Sequence, residues 1–234
     1  MYDLLTALIR KTETGKADPA VQYETIIGHN QRHLDKPVTQ MTVDEIIAAS
    51  DHWRRRFGTT SGAAGAYQII KPTLVQLKED LKLTGKEKFT PALQDRMGEH
   101  LCKKRGADQF LAGVLSLAAF GNNLAREWAS FPVLSATKRG KQVIKRGQSY
   151  YDKFAGNHAL VSPATVEGTL TQMLLEVRGP VPSPLEPLPE MPDAPIEIVP
   201  TPDQEEAERG NFPFGLAIVL IILAALAAWW FFGR

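Results

Sequence analysis

Twenty-one consecutive residues, Phe212 to Phe232, carry no charge and no strongly polar side chain. A helix rises about 1.5 Å per residue, so this run spans roughly 30 Å, the thickness of a bilayer's hydrocarbon core. Lipid offers no partners for backbone N–H and C=O groups, so a single segment crosses it as a helix. Trp229, Trp230, Phe231 and Phe232 supply an aromatic belt at one interface. Pro213 falls in the first turn, where a missing N–H costs little. The expectation is one transmembrane helix over residues 212–232, anchoring the preceding chain to a lipid bilayer. A buried core helix is the competing reading, but it is rarely uncharged all round for this length.

Residues 161–211 read as a linker. Ten prolines lie between Ser162 and Gly210, interleaved with acidic residues, and such a segment buries too little apolar surface to fold. Inside it, Gly168 to Arg178 has the spacing of one short helix, with Leu170, Met173 and Leu174 on one face. Charge divides along the same line: residues 1–160 carry a net +8 and residues 161–234 a net −7. A basic globular part suits an anionic partner, although solubility alone also explains it. Met1 to Ile9 contains Asp3, and its apolar run stops at Arg10 and Lys11, so no export signal is read there. Cys102 is the single cysteine, which excludes an intramolecular disulfide and makes a buried thiol the default.

Residues 1–160 form the globular domain, and their pattern is mainly helical. Asp3 to Lys11 carries Leu4, Leu5, Leu8 and Ile9 on one side. Thr42 and Glu45 make a capping box before Ile46 and Ile47, and Thr90-Pro91 opens a helix with Leu93, Met97 and Leu101. A helix starting at Ile70-Lys71-Pro72 carries Leu74, Leu77 and Leu81. Ala107 to Phe131 is apolar and central, and Gln142 to Phe154 reads as a last helix. Val21 to Gly28 and the approach to Ile70 look extended, beside a tight turn at Gly62 and Gly65. The fold class expected is α+β, mostly α, with a small β patch.

Glu13 stands just after the first amphipathic helix, with Gly15 where a helix commonly stops. The negative end of the helix dipole there favours the protonated carboxyl, as a general acid requires near neutral pH. On spacing alone, a solvated glutamate at a helix end is the commoner outcome. The further stretch Ser61-Gly62-Ala63-Ala64-Gly65-Ala66-Tyr67-Gln68-Ile69-Ile70 resembles the small-residue, Gly-x-Tyr-Gln segment of lysozyme-like phage endolysins, specifically the lambda-type lytic transglycosylases. Trp128-Ala129-Ser130-Phe131-Pro132 is similar to a second block of that family, and the order of elements agrees over about Tyr2 to Phe154.

The resemblance implies a lysozyme-like domain that cleaves the MurNAc–GlcNAc β-1,4 bond of peptidoglycan without a cofactor. By carry-over, Glu13 is the catalytic residue, and Tyr23, Tyr67, Gln68 and Trp128 bind the glycan. Gly62 and Gly65 let backbone approach the sugar. The bland reading of Tyr67 and Gln68 is a half-buried structural pair. Two departures stand out: Thr14 separates Glu13 from Gly15, and Ala66 replaces a residue that is commonly basic.

A hydrolytic muramidase sets two carboxylates across the scissile bond, whereas a lytic transglycosylase needs one. Asp18, Glu24 and Asp51 are possible partners for Glu13, none in a catalytic motif, so the single-acid mechanism is the expectation. Hydrolysis on the same fold, or a non-catalytic glycan-binding envelope or virion protein, are the alternatives. His29 and His33 lack a third ligand, so no metal site is expected. No motif supports nucleic-acid binding, and Arg54-Arg55-Arg56 and Lys103-Lys104-Arg105 read as solvated faces. The chain is expected in the host inner membrane or the virion, acting in the periplasm. Arg234 beyond the span and Glu205, Glu206 and Glu208 before it point that way, whereas a C-terminal tail normally inserts with the preceding domain left on the cytosolic side, so both topologies stay open.

Overall fold

The computed structural model describes residues 2–152 and 157–179. Residues 180–211 of the linker and the expected membrane span at 212–232 lie outside them. Among the described residues no helix is long and apolar enough to cross a membrane.

Helix α1 (Asp3–Thr14) buries Leu5 and Ile9 and ends at Gly15, whose φ of 63° lets its N–H reach back to the Lys11 carbonyl. Helix α2 (Pro19–Glu24) follows where an extended segment was expected. Asp18 accepts a hydrogen bond from the Ala20 N–H and Pro19 fills the first turn, so two start signals outweigh the β-rich composition. Only Ile26 of that segment pairs as strand, with Ala64, which in turn pairs with Ile69. Helix α3 (Val43–Arg56) opens with the complete Thr42–Glu45 capping box and packs on α4 (Lys71–Asp80). Helix α5 (Pro91–Lys104) begins at a Thr90 cap and buries Met97, Leu101 and Cys102.

The apolar stretch 107–131 is two helices, α6 (Ala107–Leu111) and α7 (Leu117–Glu127), joined through stacked Phe110 and Phe120 rings 4.8 Å apart. After them comes a hairpin, β1 (Thr137–Arg139) against β2 (Gln142–Ile144), in antiparallel register with Thr137 opposite Ile144. The expected helix over 142–154 is therefore wrong from its first residue. Gly140, at φ 58°, supplies the left-handed residue of a two-residue turn and sends the chain back.

Helix α8 (Pro163–Arg178) falls inside the stretch expected as linker. Ser162 caps it by accepting from the Thr165 N–H, and Val166, Leu170 and Met173 are fully buried. It packs against α1 and α7, so the compact unit extends past Arg178. The expected short helix starts one and a half turns early, because Ser-Pro at the edge of a proline-rich run is also an N-cap and first-turn pair.

Candidate active site

Helix α1 delivers Glu13 in its last turn to the wall of a cavity of about 460 Å³. It is also lined by residues of the segment from Thr60 to Ile70 and, at the end of α7, by Glu127, Trp128 and Ala129. Tyr151 and Asn157 also line it. Glu13 is exposed only in part, and burial raises its carboxyl from 4.5 to about 7. Hydrogen bonds from Ser130 oppose that rise, while the charge of Glu127 adds to it. The Ser130 hydroxyl donates to Glu13 Oε1. Ser130 is itself held by its carbonyl, which accepts from the Leu160 N–H at 2.8 Å.

One turn earlier on α1, Arg10 donates to Asp95 of α5 at 2.9 Å and to the Tyr67 hydroxyl at 3.1 Å. Asp95 also accepts from Tyr67 at 2.7 Å and from Tyr23 at 2.8 Å. This cluster ties α1, α2, α5 and the Tyr67 loop together behind Glu13. Burial and Asp95 push the Tyr23 hydroxyl up to about 12, and they raise that of Tyr67 as well. Tyr67 lines the cavity with its hydroxyl already engaged, and Tyr23 is not among the lining residues.

Gln68 lines the cavity at φ 46°, its Nε2 donating to the Gly65 carbonyl at 2.8 Å. Trp128 lines it too, at 3% exposure. Gly62 and Gly65 stand close against neighbouring helices. A Cβ on Gly62 would lie 2.0 Å from the Ser50 carbonyl oxygen, and one on Gly65 would lie 2.4 Å from Gln94 Oε1. Both are small because the loop presses on α3 and α5, and neither lines the cavity. Ala66 is likewise fully buried, its N–H donating to Gln94, which leaves no room for a basic side chain.

The carboxylates considered as partners serve elsewhere. Asp18 caps α2, Glu24 accepts from Thr39, and Asp51 pairs with Lys71 at 2.5 Å. The second carboxylate on the cavity is Glu127, paired with Arg105 at 2.6 Å. Sequence reasoning missed both Glu127 and Ser130, although they flank or lie within the Trp-Ala-Ser block. Among the described residues no group of His, Cys, Asp or Glu could hold a metal ion.

A family model described as Endolysin matches residues 23–158. The chain belongs to the endolysin family. The match includes Tyr67, Glu127, Trp128 and Ser130, and starts after Glu13. Membership implies a phage enzyme that degrades cell-wall peptidoglycan. No curated protein and no solved structure matches this endolysin.

Proposed function

We propose that this endolysin cleaves the MurNAc–GlcNAc β-1,4 bond as a membrane-tethered lytic transglycosylase, with Glu13 as its single acid and base. The observation that carries the reading is Glu13 itself, on the cavity wall with a carboxyl raised to about 7. Such a group holds its proton near neutrality and gives it to the glycosidic oxygen as the bond to the muramyl C1 breaks. The resulting carboxylate takes the proton of the muramyl C6 hydroxyl, whose oxygen closes on C1 to form a 1,6-anhydro ring. The proton count balances and no water enters. Ser130, donating to Oε1, steadies the carboxylate between the two transfers.

Glu127 favours a second reading, a hydrolytic muramidase, because it puts another carboxylate on the same cavity. Its pairing with Arg105 weighs against a free base. Fragment masses decide: anhydromuramyl ends are lighter than hydrolysed ends by one water. Anhydro ends support the transglycosylase, ordinary reducing ends the muramidase, and binding to murein without fragments a non-catalytic protein.

The tether is proposed from sequence alone. Residues 212–232 anchor the chain in the host inner membrane or virion, and the domain acts on the periplasmic side. A polyproline segment as long as residues 180–211, at about 3 Å per residue, would reach on the order of 90 Å.

A further inference from the structure

Beside the Glu13 cavity lies a second, of about 440 Å³. The two share Ile70, Thr73, Leu101, Glu127 and Tyr151, so they form one continuous groove. Their chemistry differs. The second is lined by three cations, Lys104, Arg105 and Arg126, against the single carboxylate of Glu127.

Two of these cations have partners. Lys104 pairs with Asp80 at 2.7 Å and Arg105 with Glu127 at 2.6 Å. Arg126 has no carboxylate partner among the described residues. Its Nη1 donates to the Asn123 side chain at 3.2 Å, and its guanidinium lies 5.3 Å from the centre of the Tyr150 ring. Its Nε is enclosed with no acceptor at all. A guanidinium held in this way on a cavity wall, with its charge uncompensated, is a site for an anion.

The sugar hydroxyls of a murein strand carry no charge. Its anionic groups are the carboxylates of the peptide attached to the muramyl lactyl ether. Arg126 directly precedes Glu127 at the end of α7, so the cation sits next to the wall shared by both cavities. We infer that the second cavity is a subsite for the carboxylate-bearing peptide of the muramyl residue, with Arg126 as its anion-binding group. This rests on the murein-cutting reading above and specifies which strands are cut best.

The test uses the full chain on two preparations of the same strands, one carrying peptides and one stripped of them by an amidase with the freed lactyl carboxylates then capped as neutral methyl amides. One charge-assisted contact corresponds to about tenfold in affinity. Native kcat/KM is therefore expected to be about tenfold higher on peptide-bearing strands, with the difference in KM, and to shrink as salt is raised. In Arg126→Gln the ratio falls to near one, and a ratio is insensitive to the fraction of enzyme that folds. A native ratio near one overturns the subsite, as does a high ratio that survives the substitution. If the native chain cuts neither preparation, the murein-cutting reading fails instead.

Discussion

Glu13 closes a helix and lines a cavity, and burial, Ser130 and Glu127 act on its proton. Folding raises its pKa from 4.5 to about 7, so the folded chain holds the proton more tightly than the unfolded chain. The contribution to stability is complete below pH 4.5 and is lost as pH rises through about 7. The shift corresponds to at most about 3 kcal/mol. Glu13→Gln keeps the shape and cannot ionise, so it is expected to be the more stable protein at pH 8.5 and to converge with the native chain near pH 4. Urea unfolding midpoints at the two pH values check this, and an equal offset at both contradicts it. Ser130 favours the charged form, so Ser130→Ala raises the Glu13 pKa further. The alkaline limb of kcat/KM then moves to higher pH, and a limb that moves down contradicts the role given to Ser130. The place of Glu13 at a helix end was legible from periodicity and Gly15, whereas its candidacy comes from the family resemblance, since spacing alone favours a solvated glutamate. Ser130 was not legible, because a contact across 117 positions leaves no local signature.

Among the elements, the helices with strong caps were legible and the ones near composition boundaries were not. Thr42–Glu45 and Thr90-Pro91 announce α3 and α5, since capping is a local interaction between near neighbours. Helix α8 was legible over Gly168–Arg178, with Leu170 and Met173 on one face, but its start at Pro163 and its docking on α1 and α7 hid beside proline-rich sequence. The hairpin hid because Val143 and Ile144 suit helix and strand alike, and the deciding residue is Gly140. Leu170 is fully buried, so Leu170→Ala is expected to destabilise the domain by about 2–5 kcal/mol. Denaturant unfolding measures it, and a change under ~0.5 kcal/mol would mean that α8 contributes nothing to the core.

At the scale of the whole molecule, residues 1–160, of net +8, precede an acidic, proline-rich stretch and an apolar run. The docking of α8 shortens the proposed tether without removing its reach. Flotation with liposomes is expected for the full chain and not for a chain ending at Asn211; equal flotation of both contradicts the anchor. The Arg10–Asp95 cluster holds Tyr23 and Tyr67 by their hydroxyls and so ties the Tyr67 loop to α1, which carries Glu13. The central claim is that this one carboxyl does the chemistry. It is tested most directly by release of soluble fragments from purified peptidoglycan by the native chain and by Glu13→Gln. The native chain is expected to release them and the folded variant to release none. Release by the variant at the native rate would contradict the account.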